Sequence, residues 1–305
     1  MDKVSHIEPK KDMKVAELVE QMKNAGFGAR NLGKASQIFR EMLDDKECRI
    51  FLGVAGAMVP AGMKKVIIDM LEKGRIRAFV TTGATLTHDM IEALGESHYQ
   101  CDSWDDREFN DKGYDRMHNV FMKNHVYEIL EKFFIENWQK LREAKNITKL
   151  LEKIGEILPG NEKSILKTCY EKKIPVFCPA LADSGIGLMI WGRLMEGKKI
   201  EIDAFDDMKD IIDLAWSSEK NGVLYVGGGV PKNFIQQALQ FSKGADYGIQ
   251  ITTDRQESGG SSGAPLAEGI SWGKMNKEGK FVDVFCDATI ALPLIWASAG
   301  QDVTE

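Results

Sequence analysis

The chain has 305 residues and a mass of 34.1 kDa, enough for one large domain or two ordinary ones at roughly 100–200 residues each. Hydrophobic residues make up 43% and charged residues 28%, with 29 Gly against 8 Pro, so composition excludes disordered and collagen-like chains. Lys plus Arg total 40 against 46 Asp plus Glu, a formal charge of -6, and no long basic run occurs, which argues against nucleic acid as a partner.

Residues 1–14 are charged and lack the apolar run of a secretory leader, so the chain is expected in the cytoplasm. From Met13 to Asp44 apolar residues recur at helical spacing (Val15, Leu18, Val19 and Met22, then Leu32, Ala35, Ile38, Phe39 and Met42), interrupted by glycines at 26–28. That pattern predicts two amphipathic helices. Short apolar or β-branched runs predict strands over Arg49–Val54, Ala78–Thr82, Pro175–Ala180, Val223–Gly227, Tyr247–Thr253 and Val282–Thr289. Helical patterns occupy Ala61–Lys73, Leu86–Leu94, Val126–Glu143, Lys163–Lys172, Gly187–Met195, Asp207–Ser217 and Pro231–Phe241. This alternation predicts an α/β fold, a parallel sheet with helices on both faces. The segment at about 96–160 reads as helix-rich without a clear strand, and with no flexible linker around it the chain is read as a single domain, 1–305.

The longest apolar stretches, such as Ile290–Ala299, fall far short of the ~20 residues a membrane span needs. Cys48, Cys101, Cys169, Cys178 and Cys286 are widely spaced and odd in number, which reads as reduced, mostly buried thiols rather than a disulfide framework or a zinc site. His6, His88, His98, His118 and His125 show no ligand spacing, so no catalytic metal is expected. Phe133, Phe134 and Trp138 read as core or subunit interface.

Ligands of parallel α/β sheets bind at the carboxyl ends of strands. Five predicted strand ends here are rich in Gly and small polar residues: 53–57, 81–84, 182–185, 227–229, and 252–254 running into 257–263. Bare backbone at a helix start lets N–H groups approach a phosphate, so a dinucleotide site is one reading, and tight turns without a ligand are the other. Between the last Gly/Ser-rich loop and the last strand lies Ser271-Trp272-Gly273-Lys274. A lysine beside an indole in a partly dry pocket becomes a nucleophile toward an imine or carbonyl carbon; more commonly such a lysine rests its stem on the ring and stays solvated.

At these same residues, over about Gly26–Ala297, the chain resembles the deoxyhypusine synthase family. The segments are AGFGARNLGKA (25–35), IFLGVAGAMVPAG (50–62), FVTTGA (79–84), IPVFCPALADSGIG (174–187), VGGGVPK (226–232), GADYGIQITT (244–253), SGAPLAEGISWGK (262–274) and DATIALPL (287–294). The resemblance implies a Rossmann-like NAD-binding fold, a homotetramer with sites between subunits, and NAD-dependent aminobutyl transfer from a polyamine, spermidine or a related amine. In the family the transfer passes through an enzyme-lysine imine to a lysine of a translation initiation factor precursor. It assigns the nucleophile to Lys274, the amine site to Glu268, Trp272, Asn233 and Ser261, and NAD contacts to Gly56, Ala57, Thr82, Gly83, Asp183, Gly228, Thr253, Asp254, Asp287 and Ala288. Transfer to a small amine such as putrescine, and NAD binding without transfer, are the alternatives it leaves.

Four departures from the family pattern stand out. Thr87-His88 replaces an acidic pair, Leu188 and Ser261 each replace an Asp, and Asn233 replaces a His. A polyamine's ammonium groups need matching carboxylates, and the residues expected to supply them are Glu268 with Asp254, Glu257 or Asp89.

Overall fold

In a computed structural model, which describes residues 3–300, the chain runs α1 (Val15–Lys23), α2 (Phe27–Asp44), β1 (Cys48–Val54), α3 (Lys64–Lys73), β2 (Ile76–Thr81), α4 (Gly83–Ala93), β3 (Tyr99–Gln100), α5 (Asp106–Asp111), β4 (Tyr114–Met117), β5 (Val120–Lys123), α6 (Val126–Leu141), α7 (Ile147–Ile157), α8 (Ile165–Lys172), β6 (Val176–Phe177) and α9 (Gly185–Met195). It continues through α10 (Ala204–Trp216), β7 (Lys220–Val226), α11 (Gly229–Gln240), β8 (Ala245–Thr252), α12 (Glu268–Ser271), β9 (Met275–Phe285) and α13 (Ala288–Ala299). The predicted α/β class is the observed one. The chain forms two compact units, one of residues 3–55, 69–80 and 208–300, the other of Gly56–Ile68 and Thr81–Asp207.

The first unit is built on parallel strands in the order β2-β1-β7-β8-β9. Their residues are apolar at consecutive positions because both faces are covered: Ile50, Phe51, Leu52 and Val54 of β1, and Val223, Leu224, Tyr225 and Val226 of β7, are all 1% exposed or less. The chain builds outward from β1 to β2 and later, on the other side, from β7 to β9. The carboxyl ends of β1 and β7 therefore flank a topological switch point, where open sheets take their ligands. Backbone bonds extend the ladder past the strand ends, from Ala55 N–H to the Val226 carbonyl at 2.9 Å and from Gly227 N–H to the Ile251 carbonyl at 2.8 Å. Helix α2 buries Leu32, Ala35, Ile38, Phe39 and Met42; its Ser36 hydroxyl meets that of Ser298 in α13 at 2.7 Å, and Phe39 packs against Trp296.

The second unit is mainly helical. Helix α6 buries Leu130, Phe133, Phe134, Trp138 and Leu141, as their helical spacing predicts. The segment at about 96–160 is corrected in one respect: it contains a small antiparallel sheet in the order β3-β5-β4. These strands are two to four residues long, and their hairpin turns at His118-Asn119 with His118 at φ 53°, so neither length nor an Asn-Gly signal announces them.

Other boundaries moved for local reasons. Strand β6 covers only Val176–Phe177, because Pro175 and Pro179 have no N–H for a ladder. The strand read as Val282–Thr289 instead spans Met275–Phe285: the Asp287 carboxylate accepts from Thr289 N–H at 2.7 Å and starts α13. Of the cysteines, Cys48, Cys169 and Cys178 are buried, and none of the five forms a disulfide. Among the described residues no helix is long and apolar enough to cross a membrane.

Candidate active site

A pocket of about 170 Å³ opens in the first unit beside α11, α12 and the loop before α12. It is lined by all five residues expected for the amine and the nucleophile, Asn233, Ser261, Glu268, Trp272 and Lys274, together with Lys232 and Gln236. Local structure explains how Lys274 arrives there. The one-turn helix α12 closes with Gly273 in the left-handed region at φ 71°, Gly273 N–H bonding to the Ile270 carbonyl at 3.1 Å and Lys274 N–H to the Gly269 carbonyl at 2.8 Å. This paired bonding is a Schellman motif, which needs glycine at that position. The Lys274 carbonyl then accepts from Ala245 N–H at 3.1 Å, anchoring the residue to β8.

The Lys274 ammonium lies 5.2 Å from the centroid of the Trp272 ring, within reach of a cation–π contact. Trp272 is 58% exposed, so its indole presents a free apolar face. Asn233 and Gln236, three residues apart on α11, share one side of the pocket. Among the described residues Glu268 is its one lining carboxylate.

Sequence reasoning passed over Lys232. It is 1% exposed, and its ammonium donates to Gln250 Oε1 at 2.7 Å, to the Ser261 carbonyl at 2.7 Å and to the Ala264 carbonyl at 2.6 Å. Burial pulls its pKa down to about 8; Lys274 acts in the same direction, and Asp283 and Glu268 oppose it. The signal was in the pattern: Lys232, Ile235, Gln236 and Leu239 fall at helical spacing on the buried face of α11. Asp283 was also unremarked. Its carboxylate accepts from Leu266 N–H at 3.1 Å, and burial raises its pKa.

The ten residues expected for the cofactor divide between the units. In the first, Gly228 follows β7 at the start of α11, so close to the loop that a Cβ there would lie 2.3 Å from Ser262 Cα. Thr253 and Asp254 follow β8. The Asp254 carboxylate accepts from Ser262 Oγ and from Arg255 N–H, and these bonds hold its pKa low. Asp287 and Ala288 form the capped start of α13. In the second unit, the Gly56 carbonyl accepts from Thr85 Oγ1 at 3.3 Å, and the exposed Ala57 follows it. Thr82 caps α4 through Thr85 N–H, and Gly83 packs so tightly that a Cβ would lie 2.5 Å from Ser184 Oγ. Asp183, exposed, precedes the Ser184 cap of α9.

The departures have distinct surroundings. Thr87 is 4% exposed, its hydroxyl donating to the Gly83 carbonyl at 2.9 Å and accepting from Ile186 N–H at 3.2 Å. His88 Nδ1 meets His98 Nε2 at 3.0 Å, and His98 Nδ1 meets Glu92 Oε1 at 2.8 Å; Glu92 also pairs with Lys64. Burial, and then the neighbouring His98, lower the pKa of His88 to about 4, with Glu92 acting the other way. Leu188 is 55% exposed on α9. Asp89 does not serve as a replacement carboxylate: it is fully buried and accepts from Ile165 N–H at 2.8 Å, Leu166 N–H at 3.0 Å and Ser164 Oγ at 2.8 Å, which fixes the start of α8.

Fold and pocket define a class: an α/β protein with a parallel sheet, a topological switch point, and in the same unit a lysine held in a polar pocket. Comparison with known proteins narrows it. A family model described as deoxyhypusine synthase matches residues 17–299, and the chain belongs to that family. It is 43% identical over 287 residues to "Probable deoxyhypusine synthase 1" of Methanosarcina acetivorans, covering 93% of this chain and 90% of the relative. It is 40% identical to the protein of the same name from Archaeoglobus fulgidus, with 97% of each chain covered. Such relatives imply an enzyme. In fold it is similar to a crystal structure from Entamoeba histolytica described as a candidate deoxyhypusine synthase, TM-score 0.66 at 20% identity, covering 97% of this chain and 96% of that one. It is also similar in fold to AgrE in its ternary complex with ornithine and NAD+, TM-score 0.54 at 12% identity, covering 90% of this chain and 34% of that one.

Proposed function

We propose that this protein is a cytoplasmic transferase, a homotetramer, that moves an aminobutyl group from spermidine or a related amine to a lysine of the hypusine-containing translation initiation factor, using NAD. The observation that carries the reading is the Lys274 ammonium set against the Trp272 indole in a pocket that also bears Glu268. Glu268 pairs with an ammonium of the donor, and the exposed indole covers its apolar chain. Lys274 attacks the carbon of the oxidised donor, its proton passing to the leaving amine as the C–N bond to that amine breaks, giving an imine on Lys274. The acceptor amine then displaces Lys274, which regains its proton. NAD bound to this protein would supply the redox chemistry, as hydride acceptor for oxidation of the donor and as hydride source for reduction of the product imine.

Residues able to hold NAD are Gly56, Ala57, Thr82, Gly83 and Asp183, with Gly228, Thr253, Asp254, Asp287 and Ala288. In the first unit the start of α11 suits the group: its N-cap is Gly228, with no side-chain cap, so its first N–H groups are open to a phosphate. The NAD+ named with the fold relative AgrE agrees with this reading.

The test is formation of NADH with spermidine, putrescine, agmatine and homospermidine as donors, followed by product analysis with the initiation factor or putrescine as acceptor. The reading expects NADH and a butylamine adduct with at least one donor. No binding of NAD at millimolar concentration, measured by calorimetry, contradicts it.

A further inference from the structure

The loop between β8 and α12 supplies Ser261, Ala264 and Pro265 to the pocket wall, yet much of it is exposed: Arg255–Gly260 all lie on the surface. Backbone bonds within it are few, Gly263 and Ala264 N–H both reaching the Gly260 carbonyl at 3.2 Å. Asp283 of β9 holds its end through Leu266 N–H, and the turn at the pocket wall is tied down by a pair of buried side chains. Gln250 of β8, fully buried, donates through Nε2 to the Ser262 carbonyl at 2.6 Å and accepts through Oε1 from Lys232. Lys232 spends its other two donors on the Ser261 and Ala264 carbonyls. Three loop carbonyls thus converge on two side chains.

We propose that Lys232, acting with Gln250, is the positioning residue of the amine pocket, its ammonium clamping the Ser261–Ala264 turn so that the wall facing Lys274 keeps its shape. The functional half of this inference rests on the reading of the pocket given above. A charge buried on a helix face is costly where a methionine would fill the same space. Here that cost is met by three acceptors, one for each ammonium hydrogen, two of them backbone carbonyls of the pocket loop. A Met would leave three carbonyl oxygens without this partner and free the turn, and a pocket wall displaced by an ångström loses much of its catalytic advantage.

The clamp is also sensitive to pH. The charged groups facing Lys232 are Asp283 from β9, Glu268 from α12 and Lys274, and with burial they set its pKa at about 8. Below that value the ammonium serves all three acceptors; above it the neutral amine has only two hydrogens, and one carbonyl loses its partner.

Hydrogen exchange of the full chain, read by mass spectrometry on peptides covering 255–266, tests the clamp without reference to any reaction. Lys232→Met is expected to lower protection of Gly263 and Ala264 at least tenfold while β1 and β7 keep theirs. In the wild type, after correction for intrinsic rates, protection of the same amides should fall between pH 7 and pH 9, a step absent from the variant. If Lys232→Met does not fold, the wild-type pH step and Gln250→Leu, which removes only the Ser262 bond and the Lys232 acceptor, carry the test. In the transfer assay Lys232→Met should raise KM for the amine about tenfold with a smaller change in kcat. Unchanged loop exchange in the variants overturns the clamp, and a wild-type loop indifferent to pH overturns its pH sensitivity. Altered exchange with no transfer in the wild type overturns only the proposed activity.

Discussion

In the first unit Asn233 and Ser261, where the resemblance leads one to expect a histidine and an aspartate, both lie on the wall of the pocket. In the second unit Thr87 and His88, where the resemblance leads one to expect an acidic pair, are both absorbed into internal contacts, Thr87 with the backbone of α4 and α9 and His88 with His98. The chemical type of the change, carboxylate to neutral, is shared by three of these positions. Its consequence is set by what each side chain touches. On the proposed function, losing a counter-charge on the pocket wall alters which amine is favoured, whereas a neutral group bonded inside a helical packing alters stability and its pH dependence.

The contrast is open to attack at three points. Asp89, the acid that remains beside Thr87 and His88, should act purely as a structural group. Asp89→Ala leaves two backbone N–H groups and a hydroxyl at the start of α8 without an acceptor, a loss of about 3 kcal/mol, read in denaturant melts. A loss under about 1 kcal/mol would return Asp89 to the list of functional carboxylates. His88 comes next. The folded chain excludes a proton from it down to about pH 4, whereas the unfolded chain takes one at about 6.5. Stability therefore falls as pH drops through 6.5, by about 2 kcal/mol at pH 5. His88→Gln should lack that part of the slope, and parallel slopes in the two proteins would sever the link. The smallest effect is expected at the pocket: Ser261→Asp restores a carboxylate to the wall and should shift kcat/KM toward spermidine over putrescine by about tenfold, equivalent to about 1.4 kcal/mol. No shift would place the counter-charges elsewhere.

Much of the sheet was legible because β1, β7 and β8 are buried on both faces and so carry unbroken apolar runs. The first half of β9, Asn276-Lys277-Glu278-Gly279-Lys280, was not, because an end strand of the sheet with solvent-facing side chains reads as a loop. Helix α13 was hidden for the opposite reason: it is apolar on nearly every side and contains Pro293, so no helical period stands out. At the pocket, the polar residues that face outward into it, Asn233, Ser261, Glu268, Trp272 and Lys274, were all legible through motifs. Lys232 and Gln250, which act from inside, were not, since a charged or amide side chain reads as surface until burial shows what it holds. Asp89 misled in the same way.

The central claim is that Lys274 is the nucleophile, and the most direct measurement is borohydride trapping in the presence of NAD and the amine, with peptide mapping of the reduced adduct. The wild type should carry a butylamine mass on the peptide containing Lys274, and Lys274→Arg, which keeps the charge but cannot form the imine, should carry none while still binding NAD. An adduct that persists in Lys274→Arg, or that maps to Lys232 in the wild type, contradicts the account.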